Sequence, residues 1–281
     1  MTYNFNDLKN KTAVVTGGSG GIGIAIVEAL LSVGANVVVL SRNKEKAEQT
    51  LSKIKADNSK AITVSADVLD RNSLERAKEQ IVRTFGEIDL LVNCAGGNHP
   101  KATTAVEQIT ASTRKSKQEN IFGVDVNEFK NVFDLNLFGT LLPILVFSES
   151  MVERKQGAIL NISSVSSFSP LTKVPAYSAS KASINNFTQW LAVHFAKTNV
   201  RVNALSPGFF ITSQNRFLLL DGETGNLTKR GEKIIEGTPM GRFGETTDLQ
   251  GAALFLLSDL SKFVTGVVLP VDGGFTAYSG V

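Results

Sequence analysis

The sequence predicts an α/β domain built on a doubly wound parallel sheet, and three observations predict it. Short runs rich in Val, Ile and Leu recur along the chain, each followed by a stretch of helical periodicity; repeated alternation of this kind marks a parallel sheet with helices on both faces. The runs are apolar throughout, as strands buried on both sides must be. The first run passes into a cluster of glycines and then into a helical pattern, the order of strand, tight turn and helix that opens such a fold. With 281 residues and 42% hydrophobic side chains the chain can bury a sizeable core. Residues 1–281 are read as one domain, with no linker and no repeat beyond the alternation.

The elements follow in order. Thr12-Ala-Val-Val-Thr16 is the first strand, Gly17-Gly-Ser-Gly-Gly-Ile-Gly23 the turn, and Ile24 to Leu31 the first helix. Asn36-Val-Val-Val-Leu40 completes a βαβ unit of about thirty residues. Ala61 to Ser65 is the next strand, running on to Asp67-Val68, and residues 71–85 form an amphipathic helix. Ile88 to Val92 is a strand ending in Asn93-Cys94-Ala95-Gly96. From Gly97 to about Val126 the rhythm breaks in a polar segment carrying Lys101, Arg114, Lys115 and Lys117. A segment of that length is either functional or a solvated excursion; Arg114 to Lys117 read as surface charge, whereas His99 and Lys101 follow the Asn93–Gly96 turn closely and fall near the crevice. Residues 127–154 read as one long helix with Pro143 as a kink. Ala158 to Ile162 is a strand leading to Ser163-Ser164, a helix from near Tyr177 runs to about Lys197, and Val200 to Leu205 is the sixth strand, ending at Ser206-Pro207-Gly208. Residues 209–247 are irregular and mix an apolar patch with charge, a composition that fits a lid over a crevice or a plain surface excursion. Asp248 to Leu257 is a helix and Gly266 to Pro270 the last strand.

Composition narrows the classes. A net charge of +3 calls for neither nucleic acid nor a membrane surface and is compatible with anionic ligands. One cysteine and two histidines leave no disulfide framework and no Cys- or His-based metal site. The N-terminus is polar and no run of about 18 apolar residues occurs, so a soluble, cytoplasmic protein is expected.

In a doubly wound sheet ligands bind beyond the carboxyl ends of the strands. The glycine turn puts backbone N–H groups and a helix N-terminus where a pyrophosphate can sit, a Rossmann-type dinucleotide site, although an ordinary βα turn reads the same way. Gly17, Gly21 and Gly23 serve the turn, the approach of the phosphate and the helix–strand contact. At the end of the second strand stand Ser41 and Arg42 where an acidic residue would select NAD. Arg42 can pair with a 2′-phosphate, which favours NADP, or stack on adenine and accept either cofactor. Asp67 and Val68 fall where adenine lies, and Asn93 to Gly96 near the ribose. Cys94, directly after an apolar strand, reads as a buried small hydrophobe. Tyr177 and Lys181, four apart on a helix, share one face. An ammonium beside a phenol, whose ordinary pKa is near ~10, favours the phenolate and makes a proton donor that works near neutral pH; by itself the spacing is also that of a snorkelling surface pair.

Taken together, Thr16-Gly17…Gly21-Ile22-Gly23, Asp67-Val68, Asn93-Cys-Ala-Gly96, Asn136, Ser164, Tyr177-x-x-x-Lys181 and Pro207-Gly208…Thr212 resemble the short-chain dehydrogenase/reductase family over nearly the whole chain. Cys94, where the family usually has a second Asn, and the length of residues 97–126 depart from its pattern. The resemblance implies that Tyr177 gives and takes the proton, that Lys181 lowers its pKa and holds the nicotinamide ribose, that Ser164 binds the substrate oxygen, and that Asn136 holds a water in the relay to Lys181. It also implies that Ser19, Gly20, Ile22, Ala95, Pro207, Gly208 and Thr212 join the nucleotide site, and that the chain forms a homotetramer through the long helices at 127–154 and 175–198. Within the family, Gly96-Gly-Asn-His-Pro-Lys101-Ala-Thr-Thr104, Pro170 to Tyr177, Pro207 to Arg216 and the ending Val271 to Val281 resemble the fructuronate reductases, also called D-mannonate oxidoreductases. That implies NAD(P)-dependent reduction of a keto sugar acid, with Lys101, Lys173 and Arg216 as candidates to hold its carboxylate. Reduction of 5-ketogluconate or a 3-oxoacyl compound, or a nucleotide-binding sensor without catalysis, are the alternatives.

Overall fold

The structure is a computed structural model that describes residues 4–54, 61–212 and 215–280. Ser213, Gln214 and Val281, which belong to motifs singled out above, lie outside the described residues. The strands are β1 (Thr12–Thr16), β2 (Asn36–Ser41), β3 (Ala61–Ser65), β4 (Leu90–Asn93), β5 (Gly157–Ile162), β6 (Val200–Pro207) and β7 (Val268–Val271). They form one sheet in the order β3-β2-β1-β4-β5-β6-β7, every pair parallel. The chain winds outward from β1 to β3, crosses back to β4 and winds the other way. The order therefore reverses between β1 and β4, and the crevice opens beyond their carboxyl ends, at Gly17 and at Asn93 to Gly96.

The helices are α1 (Gly21–Ser32), α2 (Lys44–Leu51), α3 (Arg71–Phe85), α4 (Val126–Phe133), α5 (Gly139–Phe147), α6 (Glu149–Arg154), α7 (Pro175–Phe195), α8 (Arg216–Leu219), α9 (Lys229–Glu236) and α10 (Gln250–Leu257). Strand alternation sorts the core into two layers. Ala13, Val15, Val37 and Val39 pack with Ile26 and Leu30 of α1 and Leu254 of α10. Val14, Val38 and Leu40 pack with Leu74 and Ile81 of α3, Ile144 of α5 and Leu191 of α7. Burying each such side chain stabilises the fold by about 1.5–3 kcal/mol, and a slip of one residue would turn every one of them to the wrong face.

Three parts depart from the sequence reading. The helix expected over 127–154 is divided: a wider π turn, Asp134–Phe138, separates α4 from α5, and a break at Ser148 precedes α6. Pro143 sits inside α5, so the distortion lies upstream of it, around Asn136. The segment 126–147 is long and apolar enough, by mean hydropathy, to cross a membrane, yet it lies against the sheet with Ile144, Val146 and Phe147 buried. The irregular stretch 97–126 is a set of short 3₁₀ turns, Pro100–Ala102, Lys117–Glu119 and Ile121–Gly123. The side chain of Asn120, between the last two, donates to the carbonyls of Thr113 and Ser116 and accepts from Phe122 N. Residues 209–247 contain α8 and α9, joined by an antiparallel bridge between Leu220 and Leu227. The helix Lys44–Leu51, rich in charge and burying only Ala47, has too little apolar periodicity to be seen in the sequence.

Candidate active site

At the end of β1 the backbone turns through Gly17, whose φ of +63° suits a residue without Cβ. A Cβ there would lie 2.8 Å from the backbone N and Cα of Ala95; one on Gly23 would lie 2.4 Å from the Gly17 carbonyl oxygen; one on Gly21 would lie 2.7 Å from Thr212 Cγ2. The glycines therefore let three segments converge: the turn after β1, the end of β4 and the start of the 209–247 region. Thr16 locks the first two together, its Oγ1 accepting from the N–H of Cys94 (3.1 Å) and of Ala95 (3.2 Å). Helix α1 starts at Gly20 with no side-chain cap, which leaves first-turn donors for an anion. Ser19 and Ser41 hydroxyls lie 3.2 Å apart, so the loop is fastened to the end of β2. Arg42 is exposed beside it. These residues fit a dinucleotide with its pyrophosphate on α1 and its adenosine toward β2.

Around that cradle the other predicted residues divide. Asp67 accepts from Leu69 N at 2.9 Å and shapes the turn after β3; Val68 is buried and would touch a Cβ on Gly139. Asn93 is buried, and its amide donates to Asn161 Oδ1 at 2.9 Å, as Asn161 donates to Thr188 on α7. The side chain of Asn93 thus joins β4 to β5 and, through Asn161, to α7. Asn161 is a polar residue inside an apolar strand, which is the sequence signal for it. Gly208 donates to Val271 O, and a Cβ on it would meet Asp272, so Pro207-Gly208 joins the β6 and β7 ends rather than an open loop.

On the far side of the crevice stand Asn136, Ser164, Tyr177 and Lys181, which the fold does bring together. Lys181 is buried, and its ammonium donates to the carbonyl of Ile162 at 2.7 Å. It lies 5.7 Å from the centre of the Tyr177 ring. A Cβ on Gly96 would meet both Asn136 Oδ1 and, at 3.4 Å, Lys181 Nζ. Tyr177 and Ser164 are hydrogen-bonded through their hydroxyls. The π turn faces Asn136 inward, where its amide donates to Gly97 O and Val132 O, both at 2.8 Å, while its Oδ1 accepts from Gly97 N at 3.1 Å. That amide is engaged with the chain and holds Gly97 and the crevice wall; a water relay through the side chain requires one of these bonds to open.

Burial sets the protonation of the cluster. It raises the phenol of Tyr177 above its ordinary value, opposed by the hydrogen bond from Ser164, and lowers Lys181 to about 8. For the phenol, desolvation outweighs the hydrogen bond from Ser164, so burial favours the protonated form. Burial also pushes the Cys94 thiol up to about 11, which leaves it inert, in keeping with a packing role.

The three candidate cations sit on separate segments. Lys101 is exposed in the Pro100–Ala102 turn, and its carbonyl accepts from Asp125 N. Lys173 has a left-handed φ of +69°, with its carbonyl accepting from Thr104 N at 3.0 Å. Arg216 is exposed at the head of α8. Among the described residues none of the three is in an ion pair. A fourth cation, Lys233 on α9, pairs with Glu107 at 2.7 Å and joins the 97–126 segment to the 209–247 region; a pair 126 residues apart leaves no local signal in the sequence. Among the described residues no group of three or more His, Cys, Asp or Glu side chains gathers as a metal site would require.

A glycine cradle for a dinucleotide and a Tyr–Lys–Ser cluster on the same edge of a doubly wound sheet define a nicotinamide-dependent oxidoreductase. The chain belongs to the short-chain dehydrogenase family, whose model matches residues 11–220. It is 51% identical over 276 residues to the uncharacterized oxidoreductase UxuB of Bacillus subtilis, covering 98% of each chain. It is 33% identical over 281 residues to the 2-dehydro-3-deoxy-D-gluconate 5-dehydrogenase of Formosa agariphila, covering 100% of this chain and 98% of that one. Among solved structures it resembles a Haemophilus influenzae protein provisionally named a D-mannonate oxidoreductase, with bound NAD, at 44% identity and a TM-score of 0.92 over 99% of this chain and 100% of the other.

Proposed function

We propose that this enzyme interconverts D-fructuronate and D-mannonate with a nicotinamide cofactor. The observation that carries the reading is the convergence of Ser164, the half-buried Tyr177 and the buried Lys181 ammonium, 5.7 Å from the Tyr177 ring, on the edge of the sheet that also carries the glycine cradle. In this reading the cofactor supplies the hydride when bound. Tyr177 protonates the oxygen of the substrate as negative charge develops there, and the Ser164 hydroxyl donates to the same oxygen. Lys181 holds the nicotinamide ribose, and Lys101, Lys173 or Arg216 holds the carboxylate at the other end. The near full-length likeness to the Haemophilus protein supports the substrate. The likeness to a 5-dehydrogenase of a deoxy keto sugar acid supports a second reading, the same chemistry at carbon 5 of a related acid. Purified protein mixed with oxidised cofactor and D-mannonate is expected to generate reduced nicotinamide faster than with gluconate or a 3-hydroxyacyl substrate. Turnover of gluconate alone would select the second reading, and no turnover of any sugar acid would sink both.

Cofactor choice follows from the end of β2. Ser41 and the exposed Arg42 present no carboxylate there, so a 2′-phosphate is admitted and paired by Arg42, while NAD in the Haemophilus protein supports a site that also takes the unphosphorylated form. Arg42→Ala is expected to weaken NADPH about tenfold, the worth of one charge-assisted contact, and to leave NADH affinity unchanged; equal losses would mean that Arg42 only stacks on adenine. A homotetramer belongs to the same reading. Trp190, 57% exposed, borders with Leu137, Leu141 and Phe187 an apolar groove between the 134–147 helical segment and α7, and Val193 on the same helix is 79% exposed, a face suited to a second copy of the chain. A cytoplasmic location fits an enzyme that draws on intracellular nicotinamide nucleotide.

A further inference from the structure

Ser164 and Tyr177 reach the crevice from different elements. Ser164 follows β5 and caps the short 3₁₀ turn Val165–Ser167, its Oγ accepting from Ser166 N at 3.2 Å. Tyr177 is in the first turn of α7, and the connection between them passes through an exposed Phe168. Their hydroxyls meet only if the 163–167 turn is held at a fixed height against the helix.

We propose that Asn185 is the positioning residue that does this, an inference that rests on reading Ser164 and Tyr177 as the reacting pair. Asn185 is four residues beyond Lys181 and eight beyond Tyr177, so it lies on the same face of α7. Its Oδ1 accepts from Ser163 Oγ at 2.5 Å, and its Nδ2 donates to Ser167 Oγ at 2.7 Å. Ser167 Oγ in turn donates to the carbonyl of Ser164 at 2.5 Å. Ser163 Oγ also lies 3.2 Å from Ser167 Oγ and 3.4 Å from the carbonyl of Lys181, closing a ring on the helix.

The direction of each bond in the ring is fixed. A serine hydroxyl has one proton; that of Ser163 goes to Asn185 Oδ1 and that of Ser167 to the Ser164 carbonyl. Only an amide, acceptor on one side and donor on the other, completes this arrangement. The Ser164 backbone is then held by Asn185 on one side, while the bond from Lys181 to Ile162 O holds the preceding strand end on the other. The two together set the Ser164 hydroxyl against the phenol.

Asn185→Leu keeps the shape and removes both bonds of the amide; Ser167→Ala removes the link to Ser164 together with the acceptor for Asn185 Nδ2, and leaves the Ser163–Asn185 bond in place. Each is expected to lower kcat for D-mannonate oxidation about 10- to 100-fold, the effect of a small misplacement of a reacting group, without changing the affinity for NAD. The double variant should be no slower than Asn185→Leu alone, because both act through one ring. Independently of turnover, the alkaline absorbance titration of Tyr177, taken as the difference between each variant and the same protein carrying Tyr177→Phe, should move to higher pH, since the Ser164 hydrogen bond that opposes burial is weakened. Unchanged kcat with an unmoved titration would overturn the proposal, as would losses that multiply in the double variant. Should wild type fail to oxidise D-mannonate, the functional reading falls and the titration alone decides: a shift upholds the ring and none refutes it. If Asn185→Leu does not fold, Ser167→Ala carries the same two measurements.

Discussion

Tyr177→Phe is expected to lower kcat about 10²–10⁴-fold, the usual worth of a positioned acid or base, with nucleotide affinity and melting temperature nearly unchanged. The ring stays in place, since Phe keeps its shape and only the hydroxyl bonded to Ser164 is lost. The pH dependence carries a sign that follows from burial. The phenol is raised, so it is protonated at neutral pH and ready to donate. Reduction of the keto acid is then insensitive to pH around neutrality, and oxidation of the hydroxy acid, which needs the phenolate as base, accelerates as pH rises. Lys181, lowered to about 8 by burial, adds an inflection near that pH to kcat/KM, which reports the free enzyme. The inflection should vanish in Lys181→Met. Steady-state rates in both directions across pH test this; a Tyr177→Phe enzyme with wild-type rates would remove Tyr177 from the chemistry.

The fold was legible because its determinants are local and repeated. The predicted boundaries of β1, β3 and α3 coincide with the structure, since each is an apolar or amphipathic run bounded by turn residues. The alternation implied a crevice beyond the carboxyl ends of the strands, whereas the reversal between β1 and β4 is seen only in the strand order of the folded sheet. Tyr177, Lys181, Ser164 and Asn136 could be named because together they form a motif, whereas the burial of Lys181 and its bond to Ile162 O are set by the packing of α7 on β5 and are not written in the spacing. Asn93 shows the same limit, since its position marks the crevice edge and only the register with Asn161 shows which way its amide goes. The π turn leaves no sequence signal because the α5 segment after it is apolar on nearly every side, so the phase shift of an inserted residue does not show in the pattern, and Pro143 is the only proline, the conventional helix breaker, in the stretch. The pairing of Glu107 with Lys233 and the ring around Asn185 join residues far apart in the chain, for which a single sequence holds no signal.

The second large effect lies in the glycine turn, where three substitutions to alanine separate the phosphate cradle from the stability of the fold. In Gly23→Ala the new Cβ would stand 2.4 Å from the Gly17 carbonyl oxygen and 2.8 Å from Gly18 Cα. Both are backbone atoms of the loop itself, so relief comes only by moving the turn away from α1. Overpacking of this kind costs about 1–3 kcal/mol; at about 2–4 °C per kcal/mol for a chain approaching this size, the melting temperature falls by several degrees. Nucleotide binding suffers more, because the pyrophosphate requires the loop donors and the first turn of α1 together; an affinity loss of about 100-fold is expected when two charge-assisted hydrogen bonds are misaligned. Gly86→Ala is the control for strain without contact. Its φ is +79° and ψ −154°, a region that only glycine adopts freely, and no atom lies within 4 Å of the new methyl, so it loses about 1–3 kcal/mol of stability and keeps its nucleotide affinity. Gly20→Ala is the control for position: its φ of −87° suits any residue, and its Cβ would lie 3.3 Å from the Gly17 carbonyl oxygen, so small changes in both quantities are expected. Calorimetric titration with NADH and thermal melting of the three proteins read the two quantities separately. If Gly23→Ala melted lower but bound NADH as wild type does, the glycines would be packing residues of the βα turn and the nucleotide would have to lie elsewhere on the sheet edge.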